Sequence, residues 1–405
     1  MSNFAFGTYR ITDENPQHIQ ALKAAIESGI TLIDTSSNYM DGASERAIAL
    51  AMRSFDEERR DSVEIVSKFG YIQGSNMLAH KEEPFEDVVE YSESCFHSIS
   101  KSFMLNQLEK SLLRLELTKI ECYLIHNPEY YIYHHLNKGT NRDEILDNMF
   151  DRIFDAFVAL EEQVKNGTIG TYGISSNSFS KSHKDADFLP YEDLITLADR
   201  AAEMVGNETH SFTTIELPIN ILETEGLKCA SWAKENGLRV LVNRPLNAQK
   251  DEMMFRLADY DESSDYYHHL NELLDVCDND ELRPLYNLLE QLDENKHKFG
   301  WIGDYDSFLY AQILPHIKTT LESIDDENLD TMLKYIDMFL TEYKKMVAYE
   351  CSKNTRVQLK EEFEYCTSTL QECAIRFLKM RDNIDYILVG MRKPSYVVDI
   401  MALNQ

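Results

Sequence analysis

Eight short, nearly continuous apolar runs constrain this sequence more than any other feature. They are Phe4–Tyr9, Thr31–Thr35, Glu64–Phe69, Cys122–Asn127, Thr171–Ser176, Thr213–Leu217, Val240–Arg244 and Tyr386–Gly390. A strand with one wet face alternates apolar and polar residues, whereas an unbroken run reads as buried on both faces. Helical patterns lie between the runs. In Gln17–Ser28, Ile19, Leu22, Ala25 and Ile26 share one stripe, as do Leu105, Leu108, Leu112 and Leu115 further on. Eight such strands separated by helices predict an α/β fold, a parallel (β/α)8 TIM barrel.

One interval breaks the rhythm. About 140 residues separate the seventh and eighth runs, where a βα unit needs about 30. Residues 249–350 hold nine Lys and Arg against 24 Asp and Glu, which is half of the chain's formal net charge of −30. The segment still has helical periodicity. Leu329, Met332, Leu333, Ile336, Phe339, Leu340 and Tyr343 form one stripe, and Leu270, Leu273 and Leu274 suggest another. The reading is therefore a barrel of 1–248 and 351–405 with a large acidic helical insertion, 249–350, after strand 7. Its departure point puts it at the barrel mouth, as a lid, a partner-binding surface or an oligomer contact.

The acidic balance excludes nucleic acid as a main partner and disfavours anionic membranes. No run approaches about 18 apolar residues, so no spanning helix is expected. The start, MSNFAFGTYRI, shows no secretory signal pattern. Seven scattered cysteines form no CxxC pair and suggest neither a zinc site nor a disulfide framework. The expected compartment is the cytoplasm. The pairs His134–His135 and His268–His269 lack a carboxylate at ligand spacing, and no metal site is expected. The acidic run 275–281 lacks the glycine of a calcium loop and reads as a solvated face.

Several runs end in an ionisable residue that packing does not require. TLIDT ends near Asp34, EIVSKF carries Lys68, and CYLIHN carries His126. In a (β/α)8 barrel the C-terminal strand ends converge on one mouth, so these three meet there. Tyr39 lies in the loop five residues past Asp34. A tyrosine hydroxyl is a poor acid at neutral pH, and a neighbouring ammonium lowers its pKa. Asp34 would hold Lys68 in place, and His126 would orient a carbonyl oxygen. Such a set protonates an oxygen on which negative charge develops. The aromatic residues Tyr130, Tyr131 and Tyr133 either wall the pocket or pack on the rim.

The motifs DTSSNYMDGASE, VSKFG, LIHNPE, GISSNS and LVGMRKP, in this order, resemble those of the aldo-keto reductases. The resemblance covers roughly 4–248 and 351–403. It implies an NAD(P)H-dependent oxidoreductase that interconverts small carbonyl compounds and alcohols. Tyr39 would be the general acid, assisted by Lys68, Asp34 and His126. On the cofactor side it implies a Ser-Asn pair after the fifth strand, with Ser175, Ser176 and Asn177 as candidates. Glu216 stands where the family has a Gln that binds the nicotinamide carboxamide. Asn243, Arg244, Pro245 and Leu246 occupy the place of a Tyr-Ser-Pro-Leu segment, so the stacking tyrosine is replaced. Gly390 would approach the adenosine phosphates. Arg392 or Lys393 would neutralise a 2′-phosphate, favouring NADPH with NADH possible, and Asp399 would contact adenine. The alternative reading is a catalytically weak barrel that binds a nucleotide or a protein partner. No GxGxxG element is present, so a Rossmann domain is not indicated.

Overall fold

A computed structural model describes residues 3–251, 253–322 and 329–404. Residues 252 and 323–328 of the expected insertion, and 1, 2 and 405 of the expected barrel, lie outside the described residues. Two compact units are present: Met1–Pro245 with Arg376–Gln405, and Leu246–Ile375.

The first unit is a closed eight-stranded parallel barrel. Its strands are β1 (Asn3–Gly7), β2 (Leu32–Asp34), β3 (Glu64–Phe69), β4 (Ile120–His126), β5 (Ile169–Ser175), β6 (Phe212–Pro218), β7 (Arg239–Asn243) and β8 (Tyr386–Val389). Each strand bonds its neighbours in sequence order, and β1 bonds both β2 and β8, so no edge is left open. The strand ends fall within two residues of the runs read from the sequence, and β3 coincides with its run.

Side chains in a strand alternate between faces. Ala5, Leu32, Val66, Leu124, Leu241 and Leu388 cluster together as one buried layer. The residue two positions further along each of these strands has the same orientation, one step nearer the C-terminal mouth. Those residues are Gly7, Asp34, Lys68, His126, Asn243 and Gly390. Pairing in register sets their heights. Gly7 stands opposite Asp34, Lys68 opposite Leu124, His126 opposite Ser175, and Ser175 opposite Glu216. The intervening residues Phe6, Ile33, Ile65, Tyr123, Ile125 and Val242 are also buried. Both parities are buried, which explains the unbroken apolar runs.

The second unit opens with an antiparallel pair, Asn247–Lys250 and Met253–Arg256. Helices Tyr266–Cys277, Arg283–Asn295, Ile302–Phe308 and Leu329–Gln358 follow, with a π-helical turn at Leu309–Ile313 leading into Leu314–Glu322. Their apolar faces enclose a core that includes Tyr266, Leu270, Leu285, Leu289, Tyr305, Phe339 and Tyr343. Tyr343 donates to the Leu292 carbonyl at 2.9 Å, and Tyr266 donates to Asp293 at 2.8 Å. Met332, Ile336, Phe339 and Tyr343 of the predicted stripe are buried, whereas Leu333 is exposed.

The boundaries differ from the expected 249 and 350. The helix Leu329–Gln358 runs through residue 350 without a break, and the chain re-enters the barrel unit at residue 376, within the helix Leu370–Lys379. A charge count cannot see a helix continuing past the end of an acidic block. Cys366 and Cys373 form a disulfide, where the scattered cysteines suggested none. The turn between the two helices brings their Cα atoms to 5.9 Å. The other five cysteines are buried thiols. Glu272 lies one helical turn beyond both His268 and His269, and ligand atoms of all three fall within 4.8 Å of one another. The sequence reading overlooked this carboxylate; the distances, 3.5 and 3.6 Å, are those of a loose ion pair on a helix face. No helix of the described residues is long and apolar enough to cross a membrane.

Gly173 marks the tightest place in the barrel wall. The β5–β6 register shifts between Tyr172 and Gly173, and a Cβ at 173 would lie 2.0 Å from the Thr214 carbonyl oxygen. A glycine inside a strand often signals such close approach. Gly173→Ala must push β5 and β6 apart, and overpacking of this kind costs roughly 1–3 kcal/mol. Urea unfolding followed by circular dichroism should show a lower midpoint for the variant; an unchanged midpoint would contradict the packing described.

Candidate active site

Lys68 is the centre of the site. Its side chain is fully buried, and a buried ammonium requires compensating charge. It meets Asp34 from β2 in a short ion pair, and Glu216 from β6 at 3.2 Å. It also donates to the Thr35 carbonyl at 3.0 Å and approaches the Tyr39 hydroxyl at 3.5 Å. Burial works against its charge, but the two carboxylates overcome that effect and raise its pKa. Asp34 is pushed well above the usual carboxylate range, first by burial and then by the charge of Glu216, which outweigh Lys68. One ammonium therefore serves two carboxyl groups.

Tyr39 begins a short 3-10 turn, Tyr39–Gly42. Met40 and Asp41 adopt left-handed φ of 50° and 53°. Such residues cost on the order of 1 kcal/mol or more each and gather at functional sites. Asp41 is anchored by Ser75, whose hydroxyl donates to it at 2.8 Å and whose N–H donates at 3.1 Å. The turn thus holds Tyr39 over the mouth, edge-on to Tyr9 and to the His126 ring, with centroids at 5.2 and 5.8 Å. The expectation that Lys68 lowers the pKa of Tyr39 captures only part of the balance. Burial raises it, Lys68 opposes that, and Asp34 and Glu216 add to the rise, so the net direction is upward.

His126 is buried, with Nδ1 3.1 Å from the Ser36 hydroxyl. Burial, then the Lys68 charge, then His97 hold it well below its usual pKa, so it is neutral. His97 Nε2 lies 2.7 Å from the His126 carbonyl, an approach that Gly70 permits because a Cβ there would lie 2.6 Å from that nitrogen. Tyr71 packs on His126 at 4.8 Å and Tyr130 on Tyr71 at 5.2 Å. Tyr133 continues this wall at 5.8 Å from Tyr130. Tyr131 instead faces His135 and the guanidinium of Arg152, away from the wall.

The residues expected on the cofactor side divide into two groups. Ser175 is buried at the end of β5, and its carbonyl accepts from the Asn127 N–H at 2.7 Å. Asn243 Nδ2 donates to Glu216 Oε1 at 2.9 Å, fixing that carboxylate; Glu216 Oε2 faces Lys68, while Asn243 Oδ1 is buried without a hydrogen-bond donor. Arg244 is taken up by Glu223 at 2.6 Å. Pro245 ends the barrel segment and Leu246 begins the second unit. Gly390, Arg392 and Asp399 are exposed beyond β8. Arg392 lies near enough to His18 that its charge adds to burial in depressing that histidine's pKa.

Glu129 was missed, although its motif LIHNPE was noticed. It is fully buried, accepting from the Ser176 hydroxyl at 2.7 Å and from the Asn177 N–H at 2.9 Å. Ser176 is therefore committed to holding the β5 corner. Burial raises the Glu129 pKa from 4.5 to about 7, against the pull of these hydrogen bonds. A carboxyl whose folded pKa is raised contributes stability below about 4.5 and loses it as pH rises through about 7. This group alone accounts for a decline of roughly 3 kcal/mol across that window. Denaturant titrations over pH should show the decline in the native chain and a flatter profile in Glu129→Gln; parallel profiles would refute the assignment.

A sequence model described as the Aldo/keto reductase family matches residues 3–250, more than half of the chain. Aldo-keto reductase YhdN of Bacillus subtilis (strain 168) is 28% identical over 135 residues, covering 32% of this chain and 35% of that protein. The uncharacterized oxidoreductase YqkF of the same organism is 27% identical over 176 residues, 44% of this chain and 45% of that protein. The chain thus spans less than half the length of each of these relatives in alignment. The solved aldo-keto reductase AKR11C1 from Bacillus halodurans (holo form) matches in fold with a TM-score of 0.50 at 15% identity, covering 100% of this chain and 86% of that one. The family match runs from β1 to just beyond β7 and takes in the strand ends that bear Asp34, Lys68, His126 and Glu216. The chain belongs to the aldo/keto reductase family.

Proposed function

We propose that the chain is an NAD(P)H-dependent oxidoreductase that reduces an aldehyde or ketone to the alcohol, or runs the reverse reaction. The observation that carries this reading is the approach of Lys68 Nζ to the Tyr39 hydroxyl at 3.5 Å, with the ammonium pinned from behind by Asp34 and Glu216. A nicotinamide dinucleotide supplies the hydride when bound. Asn243 Oδ1, an acceptor without a hydrogen-bond donor, and Glu216 Oε2, which faces the Lys68 ammonium, suit the amine of a carboxamide, which has two protons to donate. Ser175 and Asn177 flank the same corner. Arg392 and Lys393 are the cations that would meet a 2′-phosphate, which favours NADPH over NADH, and Asp399 faces solvent nearly two helical turns further on.

Tyr39 donates its proton to the carbonyl oxygen as negative charge builds there. Its raised pKa keeps the phenol protonated throughout the neutral range. Lys68 stabilises the phenolate that remains, at a distance where a unit charge in a buried site has a large effect. His126 is neutral. Its Nδ1 is engaged by the Ser36 hydroxyl at 3.1 Å, and the tautomer with the proton on Nε2 can donate to the substrate oxygen. Tyr71 and Tyr130 form an aromatic wall suited to the apolar part of a small carbonyl compound.

Tyr39→Phe removes the hydroxyl with its transferable proton and keeps the ring. Its kcat/KM for carbonyl reduction should fall by roughly 100-fold or more, while the Kd for NADPH, read from nicotinamide fluorescence, should stay within about twofold of the native value because a phenyl ring keeps the packing. Full turnover by the variant would eliminate Tyr39 as the acid. Failure of the native chain to bind either NADPH or NADH would end the oxidoreductase reading.

A further inference from the structure

Lys68 is the only cation bonded to the cluster formed by Asp34 and Glu216, among the described residues. Both carboxyl groups are at least nine-tenths buried. The neighbouring basic groups do not balance the second carboxylate. Arg244 pairs with Glu223, Arg239 pairs with Glu64 at the start of β7, and His126 is uncharged. Asn243 clamps Glu216 Oε1, leaving Oε2 to the Lys68 ammonium at 3.2 Å. The Asn243 carbonyl oxygen, buried without a hydrogen-bond donor, adds the negative end of a dipole. A glutamine at 216 would make the cluster neutral.

We propose that Glu216 makes the site bind the oxidised nicotinamide dinucleotide more tightly than the reduced one. This deepens the oxidoreductase reading and rests on it. The oxidised ring carries a positive charge and the reduced ring does not, while the rest of the two molecules is identical. A fixed carboxylate at the ring's carboxamide therefore discriminates between them by charge alone. If the surplus carboxyl holds a proton in the free protein, the arriving cation displaces it, and the preference keeps its sign. Tighter binding of the oxidised form also makes the bound reduced form the stronger hydride donor, because the two affinities and the redox equilibrium close one thermodynamic cycle.

The test titrates the full chain separately with NADP+ and NADPH, by calorimetry, and compares Glu216→Gln and Glu216→Asp. The native chain should bind NADP+ more tightly. Glu216→Gln should shift the ratio of the two dissociation constants toward NADPH by about tenfold or more, a floor well below what one charge at contact distance exerts in a medium of effective dielectric near 20. Glu216→Asp keeps the charge and should keep the preference. It also preserves the test if the glutamine variant fails to fold. Tighter binding of NADPH by the native chain, or an unchanged ratio in Glu216→Gln, overturns the inference while leaving the oxidoreductase reading in place. Absence of binding of both forms overturns the two together.

Discussion

The pairing of one buried ammonium with two buried carboxyl groups is the interaction on which the rest of the barrel mouth depends. Lys68 reaches across the interior from β3 to meet Asp34 on neighbouring β2 and Glu216 on distant β6, and so ties β6 to that pair across the barrel. Removing one partner from such a cluster leaves an uncompensated charge in a low-dielectric place, which is far more costly than losing a surface ion pair. The cluster is thus structural and chemical at once. It orients the ammonium toward Tyr39, and it sets the balance of charge that Tyr39 and His126 experience.

Around that centre the fold concentrates backbone strain. Met40, Asp41, Asn127 and Arg244 all take left-handed conformations, and each follows directly on a residue assigned to the site or lies one position further on. Three of the four have a side-chain anchor. Asp41 is held by Ser75, Asn127 donates to the Tyr71 hydroxyl at 2.6 Å, and Arg244 is fixed by Glu223. The geometry needed at the mouth differs from what the backbone would adopt alone, and the anchors supply the difference.

Much of this was legible in the sequence because the strands are so uniformly apolar. An Asp, a Lys or a His inside such a run has no packing reason to be there, so Asp34, Lys68 and His126 stood out. Tyr39 was found through its distance from Asp34 and through the family resemblance. Other features depend on contacts between residues distant in sequence, which leave no periodic trace. Glu129 looks like an ordinary helix-entry acid until Ser176 and Asn177 fold onto it. Ser36 gives no hint that it faces His126 across 90 positions. The pairing of Arg244 with Glu223 is likewise invisible in the strand pattern. The end of the insertion was misplaced for a simpler reason: the helix Leu329–Gln358 continues past its acidic portion.

The alternation that fills the barrel also limits what changes of length it can absorb. Lys68 faces inward, and its neighbour Ser67 bonds Glu45, which Arg114 also reaches from the helix Lys101–Leu115. A single-residue deletion within β3 would carry Ser67 or Phe69 into the interior and turn the ammonium out among the helices. The same deletion in a loop leaves that parity untouched. Variation in length between relatives of this chain should therefore collect in the loops and the second unit, with the strands keeping a fixed count.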